Sequence, residues 1–259
     1  MKPRIPVLCL LLPVLLAGCA TAKLDREKEK DKLVAAARAN TQLGVEYLRK
    51  GEYETSLKKL EKALEIDPDY ADAHDVIAVL YERVGKPDLA EKHFKRGLRL
   101  NPDNAASHNN YGRFLCNMKR YREAEQEFLV AANNAFYASP ELPLLNAGMC
   151  MEALPDMAKA EMYYRQSLDK DSTFGPALLQ MASLSLGAEN YLDARGYLQR
   201  YQQTSRQTPE SLWLGVRIEY ALKDHKAWGN YALQLKNNFP DSRQTAALME
   251  WENGLRSGR

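Results

Sequence analysis

The sequence predicts an all-α fold of tandem helix hairpins, and three observations carry that expectation. A pair of small residues twelve positions apart recurs along the chain: Gly44 and Ser56, Ala78 and Ala90, Gly112 and Ala124, Gly148 and Ala160, Ala182 and Ala194, Gly215 and Ala227. Successive pairs follow at 34, 34, 36, 34 and 33 residues. Four positions after each second small residue stands a larger one: Leu60, Phe94, Phe128, Tyr164, Leu198 and Tyr231. Apolar residues recur at helical spacing on both sides of polar turns such as Asn117-Met118-Lys119-Arg120. Small residues at fixed places in such a pair mark where two helix backbones approach closely.

A helix-turn-helix unit of 34 residues resembles the tetratricopeptide repeat. The resemblance implies a right-handed superhelical solenoid of six hairpins closed by a C-terminal capping helix. The expected repeats are 37–70, 71–104, 105–140, 141–174, 175–207 and 208–241. Repeat three carries its extra residues at Ala138-Ser139-Pro140, between hairpins, where a longer connection costs little. Residues 242–259 read as the cap, with Ala247, Leu248 and Trp251 covering repeat six and Gly254 ending the helix.

Residues 1–18 read as a signal peptide. Lys2 and Arg4 form a positive start and Ile5 to Ala17 an apolar run too short for a stable membrane span. The run ends Leu16-Ala17-Gly18-Cys19, which resembles the bacterial lipobox. That implies a triacylated Cys19, palmitate included, as the first mature residue and the only non-protein group. Ala20 stands where an aspartate would mark inner-membrane retention, so the expected location is the outer membrane, lipid-anchored and facing the periplasm. Several acyl chains hold firmly where one binds only marginally. Residues 19–36 form the lipidated tether, charge-dense over 23–32, whose expected role is spacing.

The chain has 259 residues and a formal charge of +2. Lys2 and Arg4 account for that excess, so the mature chain is balanced and bulk charge gives no reason to expect nucleic-acid binding. No glycine-rich phosphate loop and no G-x-S-x-G elbow occurs. Acid pairs such as Glu125 and Glu127 fall on solvated helix faces. His74 and His108, one repeat apart, occupy a position that usually carries a bulky residue between the two helices. They read as packed histidines, not metal ligands, since no local spacing suggests a converging set. The chain therefore reads as a non-enzyme without metal, cofactor or small-molecule substrate.

Cys116 and Cys150 lie in the first helices of adjacent repeats. In an exported chain they form either a disulfide, which the compartment favours, or two buried thiols.

Function is then expected in a groove lined by the first helix of each hairpin, a surface suited to an extended or helical peptide. Repeat one contributes Gln42, Val45 and Leu48, and repeat two Asp72, Val76 and Val79. Asn109, Asn110 and Arg113 follow, then Leu145, Asn146, Met149, Leu179, Gln180 and Trp213. The valines and Leu48 make the first two repeats an apolar section, the expected main docking site. The carboxamides, which both donate and accept, suit a partner's backbone.

A lipobox, a charged tether, six such repeats and little else is similar to the type IV pilus biogenesis lipoproteins of the PilF/PilW family. The stretches that carry this are Asn109-Asn110-Tyr111-Gly112-Arg113-Phe114-Leu115, Leu214-Gly215-Val216-Arg217-Ile218 and Tyr231-Ala232-Leu233-Gln234-Leu235-Lys236-Asn237-Asn238-Phe239-Pro240. Asn40 departs from the pattern, standing where a bulky residue is usual. The resemblance implies a monomeric pilotin, a chaperone that binds secretin subunits and promotes their outer-membrane localisation and multimerisation. The alternative is a tetratricopeptide scaffold lipoprotein serving β-barrel assembly or recruiting cell-wall hydrolases.

Overall fold

The computed structural model describes residues 12–256, and their side chains from 28 to 255. Residues 1–11 of the expected signal peptide and the Cys19 side chain, the expected lipidation point, lie outside the described residues. The chain divides into two compact units, residues 1–107 and 108–259.

The first unit holds α1 (Leu12–Arg49), α2 (Tyr53–Ile66), α3 (Ala71–Arg83) and α4 (Pro87–Leu100). The boundary falls within the first turn of α5 (Ala105–Asn117). The second unit continues with α6 (Tyr121–Ala132), α7 (Glu141–Ala153), α8 (Met157–Lys170), α9 (Gly175–Gly187), α10 (Tyr191–Thr204), α11 (Pro209–Ala221), α12 (His225–Asn238) and α13 (Arg243–Arg256). No strand occurs among the described residues.

Hairpins form because each first helix offers a hole and each second helix a knob. A Cβ placed on Gly44 would lie 2.6 Å from Leu60 Cγ, and one on Gly112 2.9 Å from the Phe128 ring. At Gly215 it would lie 2.7 Å from the Tyr231 ring, and at Gly148 it would enter the Tyr164 ring. In each case the knob stands sixteen residues beyond the hole. Ala78, Ala124 and Ala160 are fully buried, as are the Phe94, Phe128 and Tyr164 knobs. In the first hairpin the Ser56 hydroxyl also donates to the Gly44 carbonyl at 2.7 Å.

The turns are set by residues at positive φ. Gly51 and Gly85 adopt it at no steric cost, closing α1 and α3. Lys119, Glu189 and Lys223 hold φ near 60° at the corresponding turns of later hairpins, a conformation that costs an L-residue about 1–2 kcal/mol. Second helices start on side-chain caps where the sequence supplies them: Asp156 accepts from the Lys159 amide at 3.1 Å and Asp224 from that of Ala227 at 3.0 Å.

Hairpins in turn tie to their neighbours. Lys159 Nζ and the Tyr163 hydroxyl donate to Glu125 at 2.9 and 2.5 Å, linking α8 to α6. Although burial opposes it, those two donors hold the Glu125 carboxyl below its usual range. Arg195 on α10 pairs with the buried Glu219 on α11. Cys116 on α5 and Cys150 on α7 are joined by a disulfide. At the C-terminal end Leu248 of α13 completes a core with Leu212, Val216, Ala232 and Leu235, against which Trp213, Trp228 and Trp251 pack.

Residues 19–36 are helical: α1 runs unbroken through them into the first hairpin. Between Gly18 and Gly44 there is no glycine or proline, and Lys, Glu, Arg, Ala and Leu, all good helix formers, predominate. Gly254 does not end the last helix, which continues to Arg256. A lone glycine inside a helix costs only about 1 kcal/mol, too little to stop a helix already docked through Leu248.

The two repeat-related histidines clasp their hairpins, each to a group nineteen residues on. His108 Nδ1 lies 2.5 Å from Glu127 Oε2. His74 Nδ1 lies 3.0 Å from His93 Nδ1, and His74 Nε2 lies 3.1 Å from the Pro68 carbonyl. A carbonyl only accepts, so His74 carries its proton on Nε2 and accepts through Nδ1 from the His93 Nδ1–H. That bond requires a neutral His74, whose Nδ1 must keep its lone pair. Burial, with the His74 ring adding to it, pushes His93 down to about 4, and burial lowers His74 as well.

Three outcomes follow from this packing. Gly112→Leu will lower stability by about 1–3 kcal/mol or more, because Phe128 and the Ala124 carbonyl leave no room. An unchanged melting temperature would contradict the assigned knob and hole. Thiol titration of the unfolded, unreduced protein will leave Cys116 and Cys150 unreactive, and two thiols released only after reduction will identify them. Finally, stability will fall as pH drops from about 6.5 towards 4, where the unfolded chain protonates His74 and His93 and the folded chain does not. Melting curves across that window will show a shallower slope for His93→Gln.

Candidate partner-binding surface

First helices of neighbouring hairpins present the residues expected to meet a partner, and their surroundings decide which are available. In the first unit Gln42 and Asp72 are exposed, while Val45, Val76 and Val79 are half-buried. Leu48 is not a groove residue. It is only 6% exposed and belongs to a core cluster with Leu60, Ile77 and Leu80. Val76 and Val79 pack against the same cluster, so their side chains are partly spent on the fold. The reason is that α1 and α3 pack directly on one another, so an apolar row on two first helices closes on itself.

The carboxamide row changes in the same way. Asn109 is only 5% exposed, and its Oδ1 accepts from Asn146 Nδ2 at 2.9 Å. The two amides therefore join α5 to α7 instead of reading a peptide backbone. Leu145 is buried. Asn110 stays half-buried, and Arg113 and Met149 are exposed.

Farther along the second unit the first-helix face is open. Leu179, Gln180 and Ser183 of α9, Glu210, Trp213, Leu214 and Arg217 of α11, and Gln244 of α13 line a cleft of about 270 Å³. Leu179 and Trp213 give it an apolar floor. Gln244 Nε2 donates to Glu210 Oε1 at 2.8 Å and fixes one rim. Sequence reasoning ranked this section second to the valines. It missed Gln244 altogether, because that residue comes from the capping helix and has no counterpart in the repeat register.

Among the described residues no three His, Cys, Asp or Glu side chains converge on a metal-sized site. No described helix is long and apolar enough to cross a membrane.

Comparison with known proteins agrees with this architecture. Residues 44–85 match the TPR repeat family, and residues 71–104 and 93–126 match tetratricopeptide repeat families. The chain is 36% identical over 236 residues to the type IV pilus assembly protein PilF of Pseudomonas aeruginosa, covering 91% of this chain and 94% of that one. An uncharacterized protein of Haemophilus influenzae is 26% identical over 160 residues, 62% of this chain and 85% of its own. Among solved structures, P. aeruginosa PilF superposes with a TM-score of 0.73 at 34% identity, covering 85% of this chain and 99% of its own. PilW, described as a widely conserved type IV pilus biogenesis factor, gives 0.73 at 32% identity over 82% of this chain and 98% of its own. With a relative 36% identical and aligned over nearly its whole length, the chain belongs to the PilF/PilW family of type IV pilus biogenesis proteins.

Proposed function

We propose that this protein is a pilotin: a lipoprotein anchored in the outer membrane through acyl chains on Cys19, which captures secretin subunits in the periplasm and promotes their insertion and multimerisation. The observation that carries the reading is the alignment with PilF over 91% of the chain, joined to the lipobox sequence that precedes the helices. Fold and site chemistry support it. Helix hairpins with packed interiors present first-helix faces, and the cleft on α9 and α11 combines an apolar floor with polar rims, as peptide recognition requires. In this reading residues 37–241 are the repeat array, carried by the helix pairs α1–α2 through α11–α12. In this reading α1 is both spacer and first repeat helix. At about 1.5 Å per residue, residues 20–36 hold the first hairpin roughly 25 Å from the lipidated end.

The experiment is affinity capture with the full-length protein from outer-membrane extract. The secretin will be recovered with it. Cys19→Ala will give a folded protein released from the membrane fraction, because the helix hairpins bury their core against one another. Secretin in those cells will accumulate as monomer or in the wrong membrane. A Cys19→Ala variant still held in the outer membrane would rule out the lipid anchor, and failure to capture secretin would rule out the pilotin role.

A further inference from the structure

A second cleft in the same unit lies where no expectation placed one. It is bounded by the end of α7, the start of α8 and the last turns of α9, with a volume of about 660 Å³. This is within the range of peptide and ligand sites. Met157, Leu184 and Gly187 give it apolar walls, and Glu152 and Glu161 stand on its α7 and α8 sides. Met157, at 49% exposed, shows a large apolar surface to solvent.

The two carboxylates differ. Glu161 is paired with Arg165 at 2.6 Å, one turn along α8. Glu152 is half-buried, and among the described residues no Lys, Arg or His forms an ion pair with it. Burial pushes its carboxyl upward against the pull of the neighbouring Tyr164 hydroxyl. A carboxylate withdrawn from water without a cation is costly, and a charge-assisted hydrogen bond relieves that cost. The cleft therefore offers an unpaired negative charge beside an apolar wall. A basic side chain suits both, since its methylene stem covers apolar surface while its head meets the carboxylate.

The cleft also continues into its neighbour. Ser183 of α9 lines this cleft and the one floored by Leu179 and Trp213. An extended chain crossing Ser183 would reach from one to the other.

We propose that the α7–α8–α9 cleft docks an extended segment of a partner protein that seats a basic side chain on Glu152 and an adjacent apolar side chain on Met157 and Leu184. This goes beyond the secretin reading and does not depend on it, because the chemistry specifies the segment and not the protein that carries it.

The test uses full-length protein in detergent, labelled with ¹³C at the methionine methyls, with the Met157 signal assigned by its loss in Met157→Leu. The probes are two capped peptides, Ser-Leu-Arg-Leu-Ser and Ser-Leu-Glu-Leu-Ser. The arginine peptide will shift the Met157 methyl saturably and the glutamate peptide will not. Glu152→Gln will weaken the arginine peptide about tenfold or more while leaving the melting temperature unchanged or raised, since it removes a half-buried charge that no cation balances. A purely structural Glu152 would instead lower the melting temperature and leave peptide affinity alone. An unmoved Met157 methyl, equal binding of the two peptides, or undiminished binding by Glu152→Gln would each overturn the proposal.

Discussion

The contact on which everything else depends is the seating of one large side chain against a residue with little or no side chain, sixteen positions earlier. Leu60 over Gly44, Phe128 over Gly112, Tyr164 over Gly148 and Tyr231 over Gly215 are versions of one arrangement. It brings two helix axes close enough for the remaining apolar residues to interlock, and close-packed interiors do not tolerate an added carbon at such a point. Once a hairpin is closed in this way, its two outer faces are fixed, and stacking against the next hairpin follows. The binding surfaces are by-products of this geometry: within each unit, whatever neighbouring first helices do not bury against each other remains for a partner.

That logic explains what the sequence revealed and what it withheld. Hole, knob and period are identities at fixed separations, so they were legible without coordinates, and helix pairs followed. Side-chain availability was not legible. Whether Leu48 is open depends on how tightly α1 lies against α3, which no spacing along one strand of chain records. Asn109 and Asn146 are 37 residues apart, one more than the 36-residue step from Gly112 to Gly148, so their bond joins positions one residue out of register and no repeat period marks it. Charge density over residues 19–36 suggested a spacer, and the same residues are good helix formers, so one sequence serves both as spacer and as helix. Glu152 carried no signal at all. Its significance lies in the cation it lacks, and an absent neighbour is visible only in three dimensions.

The histidine clasps show how one position serves two chemistries. In α3 and α4 the nineteen-residue step links His74 to His93, a neutral bond that acid breaks. In α5 and α6 the same step links His108 to Glu127, a bond between an imidazole and a carboxylate. Sequence reasoning treated His74 and His108 alike because they share a register. Their partners differ, so the two hairpins have different electrostatic interiors beneath similar helical exteriors.

The disulfide has a consequence for how the second unit comes apart. In a solenoid each hairpin touches only its neighbours, so the array can lose its ends one hairpin at a time. Cys116 and Cys150 staple α5 to α7 across the whole of α6. Fraying that begins at α13 can travel back through α11 and α9, but it halts at the staple, beyond which two hairpins must open together. Amide exchange would then rise in a step along the chain instead of a slope, with the slowest amides in α5, α6 and α7. The bond converts a zipper into a zipper with a stop.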